Sequence, residues 1–448
     1  MPMEKKERWI CKMKSMVISS NCSGGGKTTL TLGIMKAIIK RGFEVQGYKV
    51  GPDYIDTAFH KHVTGKASRN LDLFLMGEAG AKAAYSRGKG EFGVVEGVMG
   101  LYDGKGIDSE YSTAHLARIL NLPIVLVITP QAQSVTLCAE LNGICNFEAA
   151  NVVGVILNNI NEKYYKLLKA AIEKNCSPNL KVFGYVPKDE NLALKSRHLG
   201  LVQSSEVDDL DNKIEICSQH LEAYVDIDSL LHEFKEAEEF QDNFHMDNMG
   251  LKTAVAYDRA FNFYYKENIE LLEELGTVVY FSPLKDEKLP EDIDFLYLGG
   301  GYPEVFISEL SNNKSMLNSI KNSLNNGLKC YAECGGLMYL TNSIEGQATV
   351  GFFQGTAHMG TVLQNFGYAQ VRVAKENSMV EENLKINCHQ FHNSFVALKE
   401  ETIFKISADE GVTESDSGYH KNSTIGTYAH IHCFGNMNFI KSIFDKSD

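Results

Sequence analysis

Three runs constrain this chain most: "FGVVEGV", "PIVLVITP" and "NVVGVILNNI". Each is apolar continuously rather than at alternate positions, so both faces of each strand need cover. That pattern predicts parallel strands in a layered α/β fold, with helices on both sides of the sheet. Upstream, "MVISS" leads into the helical "LTLGIMKAIIKRGF", and "EVQGYKVG" reads as a second strand; downstream, "KVFGYVP" reads as a sixth. The first half is therefore predicted as a doubly wound parallel sheet.

Past residue 204 the pattern changes. "EVDDLDNKIEICSQHLEAYVDIDSLLHEF" keeps helical periodicity, whereas "KEAEEFQDNFHMDNMG" is polar and acidic and reads as an exposed linker. Alternation restarts at "LKTAVAYDRAF" and continues through "LGTVVYFSPL", "IDFLYLGGGYPE", "LKCYAEC" and "TIGTYAHIHCF". The expected organisation is an N-terminal extension over 1–14, a P-loop domain over 15–235, a linker over 236–250 and a second α/β domain over 251–448.

A chain of 448 residues can bury two or three cores. Its net charge of -13, from 44 basic and 57 acidic residues, argues against a general nucleic-acid surface and against docking on anionic membranes. The ten cysteines form no paired CxxC sets, so neither a zinc site nor a disulfide framework is expected. The opening "MPMEKKERWICKMKSM" lacks the apolar core of a signal peptide. No run approaches the roughly 20 apolar residues of a membrane span. The expectation is a cytoplasmic enzyme with small-molecule partners.

Two stretches carry chemistry. In "NCSGGGKTT", Asn21 stands where a strict P-loop has its first glycine, but Gly24, Gly25, Gly26, Lys27, Thr28 and Thr29 complete the pattern. Glycines let successive N–H groups turn toward phosphate, Lys27 would neutralise it, and the Thr28 hydroxyl would bind Mg²⁺. The site expected is one for ATP. Asp53 and Asp56 follow the second strand, and Glu96 and Asp103 follow the third. Mg²⁺ takes oxygen ligands, which makes Thr28, Asp53 and Glu96 the metal candidates. Asn158, after the fifth strand, is placed either to bond the nucleotide base or to cap.

The second stretch, "CYAECGGLMYL", puts Cys334 between a short strand and a helical pattern, the geometry of a nucleophile elbow. A helix N-terminus there favours thiolate over thiol. The Gly300 and Gly301 amides are the oxyanion-hole candidates, and His430 is the candidate base. Period-2 alternation would put His432 on the same side as His430.

Together "KVGPDYIDTAFH", "SRNLDLFLMG", "VEGVMGLYDG", "GGGYPE", "AECGGLMYL" and "TYAHIHC" resemble the cobyrinate a,c-diamide synthase family. These tetrapyrrole amidases pair a dethiobiotin-synthetase-like ATP domain with a class I glutamine amidotransferase domain. The resemblance implies that Cys334 is a glutaminase nucleophile activated by His430. It places Lys27, Thr28, Asp53, Glu96 and Asp103 in an ATP/Mg²⁺ site, and Asp56 where a substrate carboxylate approaches. It implies ATP, glutamine and cobyrinate as ligands, an internal path for ammonia, and leaves a homodimer open. Leu73-Phe74 and Gln390 depart from the family pattern. "CHQFH", with His389 and His392, is expected on the macrocycle-facing side, so Ni-sirohydrochlorin is the alternative substrate. A P-loop switch ATPase of the partition or septum type is the alternative of a different class.

Overall fold

The structure, a computed structural model, describes residues 12–148, 150–192, 196–197, 200–201, 207, 209–408 and 414–444. Most of the expected 1–14 extension lies outside the described residues. The chain divides into two compact units, Met1–Leu71 with Lys82–Gln241, and Asp72–Ala81 with Asp242–Asp448.

The first unit is built on parallel strands β1 (Lys14–Ser20), β2 (Val45–Val50), β3 (Arg69–Leu71), β4 (Phe92–Glu96), β5 (Ile124–Ile128), β6 (Val152–Asn158) and β7 (Lys181–Val186), in the order β3-β2-β4-β1-β5-β6-β7. Every residue of β4 and β5 is buried, as their apolar runs require, and every residue of β2 is buried too, Gln46 and Lys49 included. Only β3 escapes the sequence pattern, because three residues make no run. Successive strands leave the centre in opposite directions from β1, so a crevice opens at the carboxyl ends of β1 and β4. Helix α1 (Lys27–Lys40) starts there, and Gly33 lets it approach helix Leu210–Tyr224. The segment expected as an exposed linker begins as a strand: Lys235–Glu236 pairs antiparallel with the start of β1.

The ten-stranded sheet of the second unit is parallel over Gly276–Phe281, Leu251–Ala256, Phe295–Leu298, Lys329–Glu333 and Thr424–Thr427. It continues antiparallel through Ser415–Lys421, Glu401–Ser407, Asn365–Val373, Lys385–His392 and His430–Ile431. Thr427 and His430 are separated by at most roughly 11 Å of chain. Laid flat, five strand spacings between them would span about 24 Å. The sheet must therefore curl, and the curl returns its last strand to the parallel half.

Asp72–Ala81 departs from the continuous 15–235 domain expected from sequence, since it packs with the second unit. Asp72 accepts from the Phe74 and Leu75 N–H groups, both at 2.9 Å, and from the Tyr368 hydroxyl at 2.8 Å. Asn387 donates to the Phe74 carbonyl at 2.8 Å. Among the described residues, no helix is long and apolar enough to cross a membrane.

Two glycines test the packing of the first unit with opposite signs. A Cβ at Gly33 would sit 2.6 Å from Cys217 Sγ and 2.7 Å from Leu221 Cδ1. Gly33→Ala is expected to destabilise by about 1–3 kcal/mol through overpacking. Gly143, exposed in helix Val135–Asn146, has nothing within 4 Å of the same position. Gly143→Ala is expected to stabilise by roughly 0.5–1 kcal/mol. Urea unfolding of both variants reads the two signs.

Candidate functional site

The P-loop candidates form a built cradle. Gly24 and Gly26 adopt φ of 74° and 87°, and a Cβ at Gly26 would overlap the Asn158 amide. Gly26 caps α1 without a side-chain bond. The first-turn N–H groups of α1 therefore lack a side-chain cap, the condition in which a helix start can take an anion. Asn158 braces this loop rather than reaching past it: its Nδ2 donates to the Gly25 carbonyl and Thr129 Oγ1, both at 3.2 Å. Asn21 replaces the usual glycine and is tethered instead, donating to Glu140 Oε1 at 2.6 Å. Lys27 Nζ donates to the Cys22 carbonyl at 2.9 Å and the Met99 carbonyl at 2.5 Å. Burial, then the neighbouring Lys49 ammonium, lowers the Lys27 pKa to about 8.

Beside the cradle lies a buried charge cluster that sequence reading only half found. Thr28 Oγ1 donates to Glu96 Oε1 at 2.6 Å, and His60 Nε2 is 2.7 Å from Glu96 Oε2. Lys49 Nζ reaches Asp56 Oδ2 at 2.6 Å and Glu96 Oε1 at 3.1 Å, and donates to the Gly97 carbonyl at 3.0 Å. Burial opposes ionisation of Glu96, but Lys49, His60 and Thr28 hold its carboxyl well below the usual range. Burial and the Asp53 and Glu96 carboxylates push Asp56 upward, while Lys49 pulls it back. Asp53 caps helix α2 (Tyr54–Thr64), its Oδ1 accepting from Ile55 N at 2.8 Å and Asp56 N at 2.9 Å. Asp103 is exposed and accepts from Gly100 N at 2.8 Å, shaping the loop after β4. Lys49 and His60 were missed. The signal was a lysine one residue before the tip of β2 and a histidine on the buried face of α2.

In the second unit, Cys334 holds φ 48° and ψ -101° between strand Lys329–Glu333 and helix Gly335–Leu340. That is the strained elbow the sequence predicts. Its N–H donates to the Thr427 carbonyl at 2.7 Å, and Gly336 N donates to the Gly299 carbonyl at 3.1 Å. The two glycine turns are in backbone contact: a Cβ at Gly335 would lie 3.2 Å from Gly301 N, and one at Gly336 would overlap the Leu298 carbonyl. His430 covers Gly300, whose Cβ would meet the ring carbon Cε1 at 2.5 Å.

His430 bonds Cys334 and lies with Nδ1 3.5 Å from Glu333 Oε2. Burial works against a charged ring here, yet Cys334 and Glu333 together raise the His430 pKa to about 10. Glu333 is 1% exposed, and Tyr297 donates to its Oε2 at 3.2 Å. It was missed because it immediately precedes Cys334 and reads as part of the strand. His432 keeps an extended backbone, φ -104° and ψ 121°, just beyond strand His430–Ile431, and its Nε2 lies 3.4 Å from Glu267 Oε2. His389 and His392 of the "CHQFH" run are buried, at 6% and 5% exposed. The His389 ring stacks on His430 with centroids 5.0 Å apart.

Two family models match the chain: a CobQ/CobB/MinD/ParA nucleotide binding domain over residues 16–202, and a CobB/CobQ-like glutamine amidotransferase domain over residues 252–438. A cobyrinate a,c-diamide synthase of Clostridium tetani is 63% identical over 441 residues, covering 97% of this chain and 100% of that protein. One of Clostridium acetobutylicum is 62% identical over 435 residues, covering 96% and 100%. One of Caldanaerobacter subterraneus subsp. tengcongensis is 39% identical over 450 residues, covering 98% of each.

The Glu333 carboxylate raises the proton affinity of His430, so Glu333→Gln is expected to release the ring proton at lower pH than the wild-type value of about 10. Histidine-selective nitrogen NMR against pH measures the shift. An unchanged His430 midpoint would remove Glu333 from this role.

Proposed function

The chain belongs to the cobyrinate a,c-diamide synthase family, and from that premise we propose that it amidates the a and c acetate carboxylates of cobyrinate, using ATP and glutamine, in the cytoplasm. The observation that carries this reading is full-length kinship joined to two built sites, the P-loop cradle and the Cys334–His430 pair. A switch ATPase leaves the second of these without a purpose.

In the glutaminase half, the Cys334 thiolate attacks the carboxamide carbon of glutamine, forming a C–S bond and pushing charge onto oxygen. The Gly300 and Gly301 turn is positioned to donate to that oxygen. His430, charged beside Glu333, gives its proton to the departing nitrogen, which leaves as ammonia. Water then cleaves the thioester to glutamate, with His430 as the base. His432, bound to Glu267, supports the shell.

In the synthetase half, a carboxylate is a poor electrophile at neutral pH. An oxygen of the substrate carboxylate attacks the γ-phosphorus of ATP, displacing ADP; ammonia then attacks the acyl carbon and phosphate departs. The cradle fits this use, with its left-handed glycines and its uncapped helix start. Lys27 would exchange its two carbonyl partners for phosphate oxygens and regain full charge. Mg²⁺ carried with ATP would take Thr28, Asp53 and Glu96 as ligands and neutralise phosphate charge. Lys49 keeps Glu96 ionised and offers Asp56 a balancing charge where the substrate carboxylate arrives.

Mass spectrometry of cobyrinic acid incubated with MgATP and glutamine should show two carboxyl-to-amide conversions. No amide on this corrinoid would overturn the reading, and product from Ni-sirohydrochlorin instead would move the enzyme to another pathway. Cys334→Ser is expected to abolish glutamine-dependent amidation while ammonium chloride still supports it. Lys27→Ala should keep Cys334 labelling by a glutamine-analogue thiol reagent and lose ATP turnover; equal loss of both would contradict two separate sites.

A further inference from the structure

His392 ends strand Lys385–His392, three residues beyond His389, whose register partner is His430. Its ring lies flat on Tyr428, with centroids 3.8 Å apart and planes 8° from parallel. Tyr428 directly follows Thr427, the residue whose carbonyl accepts the Cys334 N–H. The histidine ring is thus held in place beside the nucleophile turn by a stack on its flank.

Its hydrogen-bonding role is fixed as firmly as its position. Nδ1 lies 2.7 Å from the Ser394 carbonyl oxygen. A carbonyl has no proton to give, so Nδ1 carries the hydrogen and donates it. Nε2 is then a lone-pair acceptor. Burial lowers the His392 pKa to about 4, which keeps this neutral tautomer at physiological pH. Nε2 is buried and has no hydrogen-bond partner among the described residues. A buried acceptor left empty is costly unless a ligand fills it.

We propose that His392 Nε2 accepts a hydrogen bond from the carboxamide N–H of bound glutamine, and that this bond separates glutamine from glutamate. The inference rests on the glutaminase reading of Cys334. Glutamine's carboxamide carries two N–H donors, whereas the γ-carboxylate of glutamate offers only acceptors. A fixed lone pair facing a carboxylate oxygen repels it and leaves both groups unsatisfied, the kind of mismatch that gives polar sites strong discrimination. The same mismatch would help expel glutamate once the thioester is cleaved. His392 cannot serve the oxyanion, because its one proton is committed to Ser394.

The test uses the full-length enzyme and two substitutions. His392→Phe keeps a flat ring for Tyr428 and removes the acceptor; His392→Gln returns an amide oxygen as acceptor. The probe is 6-diazo-5-oxo-norleucine, which keeps the α-ammonium and α-carboxylate of glutamine but has no carboxamide N–H. For His392→Phe, kcat/KM with glutamine is expected to fall ~10- to 100-fold, the loss of one buried hydrogen bond. Inhibition by glutamate, relative to the KM for glutamine, should strengthen. Labelling of Cys334 by the diazo compound should stay within about twofold of wild type. His392→Gln should recover part of the glutamine activity. Three results would overturn the proposal: wild-type glutamine kinetics in His392→Phe, labelling lost in step with turnover, or no recovery in His392→Gln. Absence of labelling in the wild-type enzyme would instead sink the glutaminase reading itself.

Discussion

The backbone at Cys334 is the constraint around which the second unit is organised. A non-glycine residue at φ 48° and ψ -101° costs on the order of 1–3 kcal/mol and persists only where its surroundings hold it. Here the holding is explicit. Thr427 takes the Cys334 N–H, Gly299 takes the Gly336 N–H, and neither Gly335 nor Gly336 has room for a side chain. The strand to the turn's left and the glycine triplet beneath it are therefore fixed in register with the nucleophile. What results is a buried thiol, 8% exposed, that bonds His430.

Both units solve a similar electrostatic problem differently. Glu96 and Glu333 are each the last residue of a parallel strand, each essentially buried, and each beside a histidine. Glu96 also has the Lys49 ammonium at 3.1 Å, so its charge is neutralised permanently. Glu333 has a tyrosine hydroxyl and a backbone N–H, at 3.2 and 3.4 Å, and no lysine partner among the described residues. Its carboxylate is left to raise the proton affinity of His430. A permanent cation there would compete with a protonated His430.

What was legible in the sequence follows from what leaves a linear trace. The parallel strands of the first unit were readable because burial on both faces forces unbroken Val/Ile runs, as in "PIVLVITP". Cys334 and the P-loop were readable because glycine spacing records backbone geometry directly. The antiparallel strands between Gly355 and Lys421 were not identified; their alternating burial, as in Lys385–His392, gives a weaker signal. Lys49, His60 and Glu333 were passed over because each acts through a partner distant in sequence: Lys49 and Glu96 are 47 residues apart, and Ile431 meets Glu333 across 98.

The antiparallel half of the second sheet has a purpose that the parallel half cannot supply. A nucleophile elbow needs a base delivered from above the strand ends, and a parallel strand can deliver only what lies on its own exit loop. Tyr428 and Ala429 alone connect Thr427, which pins the Cys334 N–H, to His430, which faces the thiol. So short a link can join the middle of a sheet to its far edge only if the sheet rolls over. Rolling also brings Lys385–His392 alongside the last strand, and with it the His389 stack on His430 and the His392 stack on Tyr428. The curl is thus a consequence of one short connection, and the histidine layer over the thiol is a consequence of the curl.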